Sequence, residues 1–421
     1  MVSRIVFLFL IFSFRVGYAQ DIDSKGKKDH RFIGLGFSMG KTLPSISIFP
    51  ETENQKGIDL TFGKTTYQNK TWAKFLNYPK TGIAVTYADF GNLKQVGYSV
   101  AVLPFLDFGV FQSFTNRVRF QVGLGASYHS VIYDKVTNPG NYGVSTPITW
   151  AFRSFVYYDV AQTNQVAVKL GVGATHFSNG HTRLPNHGLN SVLATLKTEF
   201  KYPKKELIEI RKSADTSQSS TQNYISTRFG LGQKVLARGY NSVENVYTAS
   251  FAIGKIKNKT YKYGLGMYYR FYDDYFNFIK SNDELLKNQF AYLKENPFHN
   301  ATTLGMYANF EILMNHFSVE TELGVNFYKP SYKLDWYLNN GSSKSGQYIA
   351  KDFAVKARVK QVISSRLGFR YYAFSTQKSP QHNIFLAANI NANLGQADFT
   401  ELSLGYVYSP KIKASTHLEH H

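Results

Sequence analysis

The chain has no cysteine in its 421 residues, so no disulfide holds any part of it together. Beyond its first residues it also lacks any apolar stretch approaching the ~18 residues that a membrane-spanning helix needs. That excludes a bundle of helices in a bilayer. Acidic side chains are scarce: 28 Asp and Glu stand against 48 Lys and Arg, for a formal charge of +20. Such an imbalance calls for an anionic partner.

What is present narrows these exclusions. Arg4, the apolar run from Ile5 to Phe14 and the small-residue site Gly17-Tyr18-Ala19 read as a secretory signal over residues 1–19. An exported chain of this length without cysteine fits a bacterial envelope better than a small secreted scaffold. Export and strand patterning turn the positive charge away from nucleic acid and toward an anionic membrane surface, such as the phosphorylated glycolipid of an outer leaflet. Residues 411–421 form a polar tail ending in LEHH, which resembles part of an expression tag. No metal site is read from His417, His420 or His421, and no cofactor is expected.

Aromatic residues make up 16% of the chain, yet the mean hydropathy is −0.27, so the apolar side chains must be concentrated on particular faces. Period-two alternation does this, and it is the signature of a sheet with a different solvent on each face. Val118, Phe120, Val122, Leu124, Ala126 and Tyr128 form one row, opposed by Arg119, Gln121, Gly123, Gly125 and Ser127. Tyr261 to Phe271 and Phe317 to Phe327 repeat the scheme, and Glu320 and Glu322 of the latter belong on a polar interior rather than against lipid. The expected fold is all-β: a single antiparallel transmembrane β-barrel over residues 20–410, with about sixteen strands (twelve to sixteen) and both ends on the periplasmic side. No linker stands out to divide it. Residues 281–295 break the pattern and predict a short loop helix, with Ser281 and Glu284 as a capping box. Residues 329–350 read as a long polar loop.

The stretch most relevant to chemistry is QVAVKLGVGATHFSNGHTRLPNHGLNSVLATLKTEFK, residues 165–201. It reads as strand, polar corner, strand. Val166, Val168, Leu170, Val172 and Ala174 share a face with His176 and Ser178, while Lys169, Gly171, Gly173 and Thr175 take the other. Asn190, Val192, Ala194 and Leu196 line up on the return strand, and Lys197 and Glu199 fall on the lumenal side. The tight turn at 161–164 is of the periplasmic kind, so the strand ending in His176 and Ser178 runs outward, to a site near the outer rim. An imidazole two residues from a hydroxyl on one strand face is the minimal arrangement for activating a serine.

The string THFSNGHTRLPNHGLN, residues 175–190, resembles the lipid A deacylase family of outer-membrane β-barrels, the PagL-like, acyloxyacyl-hydrolase-type proteins. The family motif is His-x-Ser-Asn, then Pro-Asn-x-Gly, then an acidic residue. His176, Ser178 and Asn179 match the first part and Pro185, Asn186 and Gly188 the second, while Asn190 stands where the family has a glutamate. The resemblance covers about 165–201; family founders are eight-stranded and shorter. It implies a serine esterase of the bacterial outer membrane, with its site near the outer leaflet, that removes an ester-linked acyl chain from lipid A or a related glycolipid. Its catalytic residues would be His176, Ser178 and Asn190. The oxyanion and substrate contacts would come from Asn179, Gly180, His181, Arg183, Asn186 and His187. The competing expectation is an inert or porin-like barrel acting as a channel or structural protein. Either would act as a monomer or a homodimer.

Overall fold

The computed structural model describes residues 30–66, 70–76, 78–110, 117–202, 220–340 and 355–410. The signal segment 1–19, the lead-in 20–29, the stretch 203–219 and the tail 411–421 lie outside the described residues. Among those described are sixteen antiparallel strands. The first eight are β1 His30–Leu43, β2 Asn54–Thr65, β3 Lys80–Asp89, β4 Tyr98–Gly109, β5 Val118–His129, β6 Ile148–Gln162, β7 Val166–Ser178 and β8 Leu189–Tyr202. The second eight are β9 Thr221–Lys234, β10 Glu244–Lys257, β11 Tyr261–Tyr272, β12 Thr302–Met314, β13 Phe317–Tyr328, β14 Ile363–Tyr372, β15 His382–Asn393 and β16 Gln396–Tyr408.

They do not close into one barrel. β1 pairs with β8, from Arg31 opposite Tyr202 to Leu43 opposite Asn190, and β16 pairs with β9. The result is two closed eight-stranded barrels, β1–β8 and β9–β16, which corrects the single sixteen-stranded barrel expected from the sequence. The reason is physical. Alternation fixes which face a side chain occupies, but it is the same whether β8 pairs with β9 or turns back to β1.

The expected faces hold in both barrels. Ile33, Leu35, Phe37 and Met39 of β1, Leu170 and Val172 of β7, and Leu265 and Met267 of β11 are all exposed on the outer walls. An apolar belt on a closed antiparallel barrel is stable against lipid. No helix among the described residues is long and apolar enough to cross a membrane.

Both lumens are filled. In the first, Arg153 makes a bidentate pair with Asp59, and Lys169 sits 3.2 Å from Asp159 and 3.4 Å from Glu199. In the second, Arg366 reaches Glu320 at 2.6 Å, Glu322 at 3.2 Å and Glu401 at 3.3 Å, and Arg228 meets Glu322 at 2.6 Å. A cavity beside Asp59 and Arg153 has about 20 Å³, and one beside Arg228 and Glu320 about 10 Å³, each on the scale of a single water. Buried charges persist only when paired, and these pairs occupy the interior between the described strands.

The loop helix appears as Glu284–Gln289 followed by a 3-10 turn Ala291–Glu295, capped by Asp283 accepting from the Leu285 N–H rather than by Ser281. The expected loop at 329–350 contains a helix, Tyr332–Asn340, in which Tyr332 and Trp336 are buried one turn apart. Its many polar residues hid an apolar stripe at helical spacing.

The barrels meet at both rims. At one end the Tyr261 hydroxyl donates to the Phe75 carbonyl at 2.8 Å, and the Trp72 N–H to Gln377 at 3.3 Å. At the other, Trp150 Nε1 donates to Thr400 Oγ1 at 3.1 Å. The β5–β6 connection of the first barrel and the helix-bearing β11–β12 connection of the second lie at this second end, where β7 delivers Ser178.

Candidate active site

His176 and Asn190 face each other across the β7–β8 ladder as direct register partners. His176 Nδ1 lies 2.7 Å from Asn190 Oδ1. A carboxamide oxygen only accepts, so Nδ1 carries the proton and Nε2 is left free as a base. The ring is exposed on the outer wall. Behind it, Gly188 adopts φ +79°, and a Cβ there would come within 2.6 Å of His176 Cε1. Only glycine gives the ring this seat.

Ser178 shares the outward parity of His176 but is buried, because the 179–188 connection folds over the strand end. Two donors converge on its Oγ: Asn186 Nδ2 at 2.8 Å and the Gly180 N–H at 3.3 Å. Both are donors to the hydroxyl, so the hydroxyl's own proton remains to be given. No hydrogen bond joins Ser178 to His176 in this state. Asn186 is oriented by its other end, where Oδ1 accepts the Asn179 N–H at 3.1 Å and thereby turns Nδ2 toward the serine.

The other residues named from the sequence divide into two groups. Asn179 and His181 belong to the loop's own scaffold. Asn179 Nδ2 donates to the Arg183 carbonyl at 2.8 Å and to Ser145 Oγ at 3.2 Å, while its Oδ1 accepts the His181 N–H at 3.0 Å. The His181 side chain is buried, and burial first, then Lys234 nearby, lowers its pKa to about 4. Arg183 and His187 stay exposed at the rim. One edge of the His187 ring packs against Tyr142, and the partial desolvation on that side, then the charge of Arg238, lowers its pKa. Lys197 and Glu199 point into the lumen as expected.

Three contributors went unnoticed in the sequence. Ser145 ties the β5–β6 connection to the site loop through the Arg183 carbonyl, at 2.9 Å. Asn241 and Thr400 come from the second barrel. Their separation along the chain left no spacing signal. A second Ser/His pair at two-residue spacing, Ser127 and His129, is hydrogen-bonded at 2.8 Å but sealed inside the first lumen, with His129 between Phe90 and Phe177.

No cluster among the described residues has a ligand set for a metal ion. In comparisons, residues 56–199 match the family model of lipid A 3-O-deacylase (PagL), from within β2 to near the end of β8. No curated protein matches the chain. Among solved structures, the outer membrane enzyme PagL is similar at 17% identity and a TM-score of 0.28, covering 39% of this chain and 97% of that one. OprB of Pseudomonas putida is similar at 10% identity and a TM-score of 0.19, covering 92% and 94%. OccAB4 of Acinetobacter baumannii is similar at 9% and 0.20, covering 92% and 99%. The segment that resembles the lipid A 3-O-deacylase family model lies wholly within the first barrel.

Proposed function

We propose that this bacterial outer-membrane protein is an ester hydrolase that removes an ester-linked acyl chain from lipid A or a related acylated glycolipid. The observation that carries this reading is the outward-facing constellation at the end of β7: a histidine held at 2.7 Å by Asn190, and a serine whose oxygen is met by two donors. Ser178 Oγ attacks the ester carbonyl while His176 Nε2 takes its proton. The C–O bond to the glycolipid then breaks, and His176 returns that proton to the leaving hydroxyl. Water, deprotonated by the same nitrogen, releases the fatty acid from the acyl-serine.

Asn186 Nδ2 and the Gly180 N–H, fixed beside Oγ, are placed to meet the negative oxygen that forms next to it. Asn190 orients His176 but lacks the charge that would stabilise an imidazolium. The apolar row of Val168, Leu170, Val172 and Ala174 leads along the outer wall to the serine and suits an acyl chain lying in the membrane. Arg183, exposed at the rim, suits the substrate's phosphates.

The test is mass spectrometry of lipid A incubated with the purified full chain. Wild type removes one acyl chain, and His176→Ala and Ser178→Ala each slow this by ~10³-fold or more. A wild type that deacylates neither lipid A nor phospholipid, or a fully active Ser178→Ala, overturns the reading.

A further inference from the structure

The loop that shapes the site is not held by its own barrel alone. The Val235 N–H donates to the His181 carbonyl at 3.0 Å. Asn241 grips Leu184 from both sides: its Oδ1 accepts the Leu184 N–H at 3.0 Å and its Nδ2 donates to the Leu184 carbonyl at 2.7 Å. Gly180, whose N–H points at Ser178, has φ +67° and lies so close to Thr400 that a Cβ would collide with its hydroxyl. Val235 and Asn241 belong to the β9–β10 connection and Thr400 to β16, all of the second barrel.

These contacts fall where the site most needs them. Leu184 is two residues from Asn186, whose Nδ2 reaches Ser178 Oγ. His181 has φ +73°, a left-handed conformation uncommon for a side-chain-bearing residue, and it needs partners at both ends to persist. Its N–H is held by Asn179 and its carbonyl by the second barrel. A ten-residue connection bridging β7 and β8 would otherwise leave Asn186 and the Gly180 N–H free to drift from the serine.

We propose that the second barrel is a positioning template for the esterase site, and that Asn241 is its principal positioning residue. This inference rests on the esterase reading above. A bidentate amide on Leu184 fixes a peptide plane as one hydrogen bond cannot, and the displacement of a catalytic donor by about 1 Å lowers rates by up to ~10²-fold. Asn241 is itself exposed, so its truncation leaves both barrel cores untouched.

The experiment compares the full chain with Asn241→Ala and Asn241→Asp in detergent, by hydrogen exchange and by lipid A turnover. Asn241→Asp keeps the acceptor for the Leu184 N–H but sets an oxygen against the Leu184 carbonyl, so it should fail to rescue. Both variants should show faster exchange in 179–188, with strand protection and circular dichroism unchanged. Turnover should show kcat lowered about 10- to 100-fold with KM nearly constant. Thr400→Val, which removes the acceptor for Trp150 Nε1, should show the same pattern more weakly. Unchanged exchange in 179–188 overturns the clamp, whatever the activity. An active wild type matched in kcat by Asn241→Ala overturns the positioning role alone. A wild type without turnover overturns the esterase reading, and the positioning role with it.

Discussion

The connection between the seventh and eighth strands differs between the two barrels. In the first barrel, β7 and β8 are joined by residues 179–188, and both donors that reach Ser178 Oγ come from that loop. In the second, β15 and β16 are joined by only Leu394 and Gly395, both with positive φ. A two-residue turn has no room for a donor like Asn186 or a ring seat like Gly188. The barrels share strand count and outer wall, so the loop over Ser178 is what sets the rim of the first apart. The second barrel instead spends its rim on helices Asp273–Lys280, Glu284–Gln289 and Tyr332–Asn340, whose buried side chains pack with Leu236, Val246 and Phe399.

The lumens differ too, which gives the largest expected stability effect. Arg153 of the first barrel serves Asp59 and Tyr157, whereas Arg366 of the second joins Glu320, Glu322 and Glu401 and also bonds Asn389 and Ser403. Removing one partner of a buried ion pair costs about 3–5 kcal/mol through the charge left behind. Arg366→Ala, which strands three carboxylates, belongs at the upper end of that range and Arg153→Ala at the lower. Urea titrations in detergent read both, and equal losses would mean that the denser network gives the second barrel no extra stability.

Next in size is an effect of acid on the junction. His181 is buried against the second barrel with its pKa at about 4, below the 6.5 of a free imidazole. The fold therefore favours the neutral ring. Its contribution is complete above pH 6.5 and is lost as pH falls from 6.5 toward 4, by about 3 kcal/mol. His181→Gln cannot titrate. Between pH 7 and pH 4 wild type should lose about that much more stability than the variant, and parallel curves would refute a buried neutral His181.

The smallest effect concerns Asn190. Asn190→Ala frees the His176 ring and should slow deacylation about 10- to 100-fold. Asn190→Glu restores a carboxylate and should hold or raise the rate. A slower Asn190→Glu would show that the site is built around a neutral partner.

Much of this was legible in the sequence because strand faces are local. Rows such as Val118 to Tyr128 separate the two faces, and parity together with the cost of a carboxylate against lipid points Glu320 and Glu322 inward, where they are buried. That His176 and Asn190 share the outer face also followed from parity on two adjacent strands; that they are direct register partners did not. Closure into two barrels was not legible, since pairing Leu43 with Asn190 is a long-range choice that alternation leaves open. Nor was the docking of Leu184 on Asn241, which depends on how two barrels sit side by side. Motif spacing also cannot tell a residue that faces a ligand from one that folds the loop: Asn179 and His181, expected among the oxyanion and substrate contacts, are hydrogen-bonded within the loop itself.

The most direct measurement of where the chemistry resides is labelling of the intact protein in detergent with a fluorophosphonate, followed by peptide mapping. One adduct is expected, on Ser178, absent in His176→Ala and unaffected by the sealed Ser127/His129 pair. An adduct on any other serine, or none on a wild type that still deacylates lipid A, would contradict it.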